Sequence, residues 1–391
     1  MNTNWKSPNA IVGSGAVARG DNYYQRNDVV EEIWNKLKND SVLLVAPRRV
    51  GKTSVMQYMV QNPIENHRLI FQDVEGISSA DDFFKRIYSL LFNCLSTNKK
   101  LQTKFRKITN SKTVKSIAVN RIEFENTPPD YLNATNNLLA EINKIQELEN
   151  IVLLLDELPI ALSNINENSN KDAISVLSNL RYWRQQPEMN KKVKFVFAGS
   201  IGIHYVVGKI KERSADLDEL VKIDFKPLSD HEAHKYIDWA TKGATVTYDT
   251  ELKKHFLSKI QYFVPYFINL LLDEVNKQAK KINNPKITTQ NIDVAFDNII
   301  KTNDYLKDWK KRLRNYMSED FNFVNEILTH TAHNGQITLH EIYDKAVKYG
   351  KTADFMDFIN DLEKDGYITE VENKYCFVSP FLSALWKNYN A

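Results

Sequence analysis

The chain has 391 residues, of which 42% are apolar and 26% charged, the profile of a globular protein of two to three domains. Its 52 basic and 49 acidic residues nearly balance, which neither demands nor excludes nucleic acid, and its two cysteines, Cys94 and Cys376, make neither a disulfide framework nor a metal site. No run approaches ~18 apolar residues and the N-terminus MNTNWKSPNA lacks a charged stretch leading into an apolar one, so no membrane span or secretory signal is expected and a reduced cytoplasm is the natural compartment.

Residues 1 to about 20 are rich in Gly, Ser, Asn and Ala and are expected to be flexible or to drape over a ligand. A helix is predicted over 29–38, with Val30, Ile33, Trp34 and Leu37 on one face. Tyr24 and Arg26, just upstream, are placed to touch a base or phosphates; the alternative for Tyr23 and Tyr24 is packing in the core. Val42–Val45 is a short buried strand, and Pro47 prevents a helix from starting at once. Ala46, Pro47, Arg48, Arg49 and Val50 form a loop, and Gly51, Lys52, Thr53 and Ser54 open a helix. Strand, phosphate-sized loop, GKT and helix make a P-loop, whose backbone N–H groups hold anionic phosphates. Lys52 would reach the β- and γ-phosphates, and the Thr53 hydroxyl would ligate Mg²⁺. Ala46 stands where the motif has Gly.

A second strand is predicted over 68–74, with Glu75 at its end, and an amphipathic helix over 79–95. Residues 97–128 carry many lysines and one strand-like stretch, as in a solvated insertion or a partner-binding arm. A helix over 131–148 returns the chain to Ile151–Leu155. That run of five apolar residues reads as a strand covered on both faces, as in a parallel α/β sheet. Ligands of such sheets bind at the carboxyl ends of the strands. Asp156 and Glu157 stand there, suited to hold Mg²⁺ and to polarise an attacking water, or to begin a helix as cap residues. A helix over 173–185 carries Arg181 and Arg184, which could reach a neighbouring subunit's γ-phosphate or merely solvate a helix end. A strand over 193–198 delivers Ser200 to the same edge.

The strand signal then stops. Helices are predicted at about 229–241, 249–261, 265–281 and 289–302, the first with a capping box from Ser229 to Glu232. No arginine follows Pro265-Tyr266 to act as a second nucleotide sensor. The last ninety residues read as three helices and a hairpin, a winged helix. Its third helix carries Asp354, Asp357 and Asp361, which opposes docking on DNA phosphates, whereas Lys307–Arg314 is basic enough for such contact.

APRRVGKTS (46–54), DVEGIS (73–78), LLLDELP (153–159), LRYWRQ (180–185), GSIG (199–202), PLS (227–229) and Pro265-Tyr266 run in order over most of the chain. In this order they resemble the archaeal-type ATPases of the AAA+/STAND P-loop group. The resemblance implies an α/β fold, a P-loop NTPase core of three layers with a parallel sheet, followed by a helical lid and a winged-helix domain. The expected division is a flexible segment over 1–20, a core over 21–226 with an insertion at 97–128, a lid over 227–302 and a winged helix over 303–391. It also implies ATP and Mg²⁺, slow hydrolysis, and a switch coupling nucleotide state to rearrangement or oligomerisation. Lys52, Thr53, Asp156 and Glu157 inherit the phosphate, magnesium and water-activating roles, and Ser200 that of the first sensor. The partner would be DNA, through 307–314 and the winged helix, a protein, or further copies of the chain. The alternatives are a nucleotide-gated DNA-binding regulator and a protein-interaction module on a weakly active ATPase scaffold.

Overall fold

Short apolar runs alternate with amphipathic helices through the first half of the chain, and they build a parallel sheet. A computed structural model describes residues 5–13, 17–46, 48–96, 130–199, 202–210, 220–302 and 307–389. Two compact units emerge, one of Asn27–Val45 and Val55–Asp224, the other of Met1–Arg26, Ala46–Ser54 and Phe225–Ala391.

The first unit holds strands β1 (Val42–Val45), β2 (His67–Asp73), β3 (Asn150–Asp156), β4 (Val193–Gly199) and β5 (Val221–Asp224). They pair in parallel in the order β2-β3-β4-β1-β5. Ile151 to Leu155 are all buried, which is why this run shows no alternation. Helices α1 (Asn27–Leu37), α2 (Lys52–Gln61), α3 (Ala80–Ser96), α4 (Tyr131–Asn143), α5 (Leu158–Asn168), α6 (Asn170–Gln185) and α7 (Ile203–Ile210) link the strands. The core joins Phe83, Ile87 and Leu91 of α3, Leu138 and Ile142 of α4, and Trp183 of α6. Trp183 stacks on Phe195 with centroids 6.2 Å apart, and Phe195 on Phe197 at 5.5 Å. The buried indole N–H is satisfied by Asn136 Oδ1 at 2.6 Å, as an aromatic with a polar handle requires.

β5 corrects the expectation that strands end with β4. It is a four-residue edge strand with only Ile223 buried, so its sequence carries too little apolar signal to stand out. The expected insertion at 97–128 lies outside the described residues.

In the second unit, α8 (Asp230–Ala240), α9 (Thr250–Ile260), α10 (Pro265–Lys281) and α11 (Thr289–Thr302) fall within a residue or so of their predicted places. The capping box is present: Ser229 Oγ accepts from Glu232 N at 3.3 Å, and Glu232 Oε2 accepts from Ser229 N at 2.7 Å. Residues 5–13, expected as a flexible lead-in, instead run along these helices. Trp5 Nε1 donates to Asn276 Oδ1 at 3.0 Å, Asn269 Nδ2 to the Ile11 carbonyl at 3.2 Å, and Asn9 N to the Ala240 carbonyl at 2.6 Å. Asn269 and Asn276 are buried, and the N-terminal strand supplies the partners that buried amides need.

The chain continues through α12 (Lys307–Met317), α13 (Phe321–Asn334), β6 (Ile337–Thr338), α14 (Leu339–Tyr349), α15 (Phe355–Lys364), β7 (Ile368–Val371), β8 (Lys374–Phe377) and α16 (Pro380–Tyr389). The three strands pair antiparallel in the order β6-β8-β7. The three helices and the hairpin expected from the sequence are present, and β6 and α16 are additions the sequence patterns did not reveal. Trp309, Leu313 and Met317 of α12 are fully buried, with Trp309 stacked on Phe267 of α10 at 5.8 Å. The basic stretch 307–314 thus lies on a helix that is packed through Trp309 and Leu313. Among the described residues no helix is long and apolar enough to cross a membrane.

Candidate functional site

The loop that leaves β1 is held from its own unit. Ala46 is wholly buried and its backbone is not in the left-handed region, so no glycine is needed there. Lys52, only 7% exposed, donates its Nζ to the Ala46 carbonyl at 2.9 Å, closing the loop on itself. Gly51 has φ of 112°, a conformation that costs any side chain energy, and this fixes glycine at that position. Arg49 also has a positive φ, 67°, which costs a non-glycine residue ~1 kcal/mol or more. Its guanidinium lies 4.2 Å above the ring of Tyr266, in the first turn of α10. Such a cation–π contact contributes ~0.5–2 kcal/mol, depending on how dry it is. Ser54 Oγ accepts from Ala18 N at 3.2 Å, Thr53 is half-buried and Val50 is buried. Pro47 lies outside the described residues.

Arg48 is tied to the other end of the unit. Burial and the neighbouring Asp365 drive the Tyr367 hydroxyl pKa far up, while the positive charges of Arg48 and Arg312 pull it back down. Tyr24 makes edge-on contacts with Tyr236 at 5.0 Å and Trp239 at 5.5 Å. Arg26 is buried over Phe225 at 4.8 Å and donates to the Lys226 carbonyl at 3.3 Å. Both residues thus pack on aromatic groups of the second unit.

The acidic side of the candidate site is built by the sheet. Asp156 ends β3 at 3% exposure, and its Oδ1 accepts the N–H of Glu157 at 3.0 Å. Glu157 occupies the N-cap of α5, as the helix-start reading has it, with φ 56° and ψ 35° and no capping bond from its side chain. A left-handed glutamate held directly after a buried aspartate is the sort of local cost that marks functional positions. Two residues on, Pro159 packs against the end of β4: a Cβ on Gly199 would sit 2.2 Å from Pro159 Cδ. Glycine here lets α5 approach the strand, and it fixes the start of α5 against the residue that precedes Ser200. Ser200 itself lies outside the described residues.

β4 relates the other strand ends. Val45 lies opposite Gly199 and Leu155 opposite Phe197, so β1 and β3 finish at one edge. Across β3, Asp73 is the register partner of Asp156, and its Oδ1 accepts from Glu75 N at 2.8 Å. Sequence reasoning singled out Glu75 and passed over Asp73. The signal was available, since β2 and β3 both end in Asp. Among the described residues there is no cluster of three or more His, Cys, Asp or Glu able to hold a metal alone. The Thr53 hydroxyl and the Asp156 carboxylate are each hard oxygen donors of the kind Mg²⁺ accepts, an ion that keeps several waters and phosphate oxygens as ligands.

The two arginines of α6 separate. Arg184 is buried, donates Nε to the Leu180 carbonyl at 2.9 Å and lies 5.5 Å from the Phe197 ring. That inward placement corrects the expectation that it reaches toward a neighbouring subunit. Arg181 is half-buried on the same helix.

No protein-family model matches this chain, and no curated protein matches it. Solved structures do. The Walker-type ATPase of Pyrococcus abyssi superposes with a TM-score of 0.63 at 15% identity, over 95% of this chain and 98% of that one. The ORC2 protein of Aeropyrum pernix, described as ADPNP–ADP complexes, superposes with a TM-score of 0.52 at 11% identity, over 99% of this chain and 96% of that one. At such identities the likeness is one of fold. Taken with the parallel sheet, the loop after β1 and the acidic end of β3, it shows that this chain has the α/β fold of a Walker-type P-loop ATPase.

Proposed function

We propose that the chain is a Mg²⁺-dependent ATPase that works as a slow molecular switch. The observation that carries this is the sheet edge: a phosphate loop leaves β1 where the buried Asp156 and left-handed Glu157 end β3, two strands away in the same parallel sheet. In this reading ATP phosphates take the Lys52 ammonium from the Ala46 carbonyl, exchanging one charge-assisted hydrogen bond for others of ~1.5–3 kcal/mol each. The backbone amides at the start of α2 add the positive end of a helix. Mg²⁺, held by Thr53 and Asp156, would neutralise phosphate charge. Glu157 orients and deprotonates the attacking water, and Ser200 senses the γ-phosphate. Arg181, not Arg184, is the candidate for action in trans.

We assign residues 21–226 to the ATPase core, 227–302 to a lid and 303–391 to a winged helix, with the protein resident in the cytoplasm.

The test is ATP hydrolysis and sedimentation for wild type, Lys52→Ala and Glu157→Gln, with and without duplex DNA. Glu157→Gln should keep ATP binding and lose turnover by at least tenfold, Lys52→Ala should lose binding, and ATP should raise the sedimenting mass of wild type. Wild type that fails to bind millimolar ATP with Mg²⁺ would sink the proposal.

A further inference from the structure

We propose that α14 and the start of α15 form a docking face for a cationic amphipathic helix of a partner protein. This inference concerns the C-terminal region alone and does not depend on ATP hydrolysis. On α14, Leu339, Tyr343 and Val347 are 43%, 44% and 58% exposed. Their spacing of four puts them in one stripe, ~12 Å long at 1.5 Å per residue. Phe355 extends the stripe onto α15, its ring 5.6 Å from that of Tyr343 in an edge-on contact, and exposed Met356 follows it. Single exposed apolar residues are ordinary; a two-turn stripe continued by an aromatic and a methionine on the next helix is the shape of a groove for helix anchors.

The charge around this stripe selects the occupant. Residues 318–391 contain six lysines, no arginine and twelve acidic residues, a net of −6. Three of the lysines are already engaged: Lys345 and Lys348 with Glu326 at 3.4 and 2.7 Å, and Lys351 with Asp320 at 2.5 Å. Asp344, Asp354 and Asp357 are exposed beside the stripe. In a winged-helix DNA reader α15 would enter the major groove, but here its first turn presents carboxylates to a polyanion. Apolar anchors two turns long flanked by Lys or Arg satisfy both the stripe and its rim.

The probe is an 18-residue peptide of Leu and Lys, with Leu at every third or fourth position. Its Leu/Glu counterpart and a Leu/Lys peptide of the same composition in scrambled order are the controls. Binding to the full chain is read by fluorescence anisotropy. The amphipathic cationic peptide should bind at least tenfold more tightly than either control. Val347→Glu separates docking from mere charge attraction, because it makes the surface more negative while destroying the stripe. It should weaken binding at least tenfold, as should Tyr343→Ser, and Asp354→Lys with Asp357→Lys should weaken it to a similar extent. Circular dichroism and thermal melts establish that these surface variants fold. Unchanged or tighter binding by both Val347→Glu and Tyr343→Ser overturns the proposal. So does self-association of wild type that Val347→Glu abolishes, which would make the occupant a second copy, or duplex DNA binding that Val347→Glu abolishes.

Discussion

Gly199→Ala tests how the acidic edge is held. The new Cβ would lie 2.2 Å from Pro159 Cδ and 2.4 Å from Cγ, more than an ångström inside ordinary contact. A proline ring cannot rotate out of the way, and β4 is fixed between β3 and β1 with Phe195, Val196, Phe197 and Ala198 all buried. Either the start of α5 or the end of β4 must move. Overpacking of that kind costs ~1–3 kcal/mol, and the absence of a flexible neighbour puts this case at the upper end. Pro159→Ala removes both clashing carbons and leaves the Pro159 nitrogen position at an acceptable 3.7 Å. The double variant should therefore recover most of the loss, with a coupling energy of ~2 kcal/mol in a double-mutant cycle. Urea denaturation of the four proteins measures the cycle. ATP turnover supplies a second readout, since Glu157 lies two residues before Pro159: Gly199→Ala should slow it and the double variant restore it. Additive stability losses would refute the claim that this contact sets the glycine requirement.

Two further predictions concern the C-terminal region. Burial and the nearby Asp365 push the Asp361 carboxyl up to about 7, with Asp357 adding to the effect and Lys364 opposing it. The folded state then holds a proton that the unfolded state releases near pH 4, so stability is greatest below pH 4 on this account and falls as pH rises to about 7. With ~1.4 kcal/mol per unit, the loss approaches ~4 kcal/mol. Asp361→Asn should remove it, raising the urea midpoint at pH 8 and flattening the profile between pH 4.5 and 8; parallel profiles for variant and wild type would exclude this. Tyr266→Ala should release Arg49 to the phosphates and tighten ATP binding by roughly two- to thirtyfold, the range set by a cation–π contact of ~0.5–2 kcal/mol, while Tyr266→Phe keeps the wild-type affinity. Equal affinity of Tyr266→Ala and wild type, by titration with a fluorescent ATP analogue, would show that the ring does not position the loop.

What the sequence made legible is what local pattern controls. Ile151–Leu155 had to be a doubly covered strand, because five consecutive apolar side chains have nowhere else to go. Ser229 with Glu232 announced a helix start because a capping box is complete within four residues. β5 escaped because a short edge strand buries one residue. Arg184 misled because an arginine near a helix end ordinarily faces water, whereas here it lies buried beside the Phe197 ring, thirteen positions on. The Gly199 requirement is set by Pro159, the Arg49 conformation by Tyr266 and the Arg48 environment by Tyr367. Those relations span tens to hundreds of residues, and no periodicity encodes them.

The same long-range relations bear on how a switch could be thrown. The loop bearing Arg48 and Arg49 shares a unit with Phe225–Ala391, not with the sheet that leads into it. Its contacts reach Ala18 at the N-terminus and Tyr266 at the head of α10, and the charge of Arg48 acts on Tyr367 beside the hairpin. A ligand shifts a conformational equilibrium only by its difference in affinity for the two states. Phosphates that draw Arg49 off the Tyr266 ring would forgo that contact's ~0.5–2 kcal/mol, which changes populations by roughly two- to thirtyfold. That range is enough to bias the C-terminal region without locking it. It matches a device in which nucleotide at the loop and a partner on α14 and α15 act on one unit, each altering the affinity for the other by the same factor.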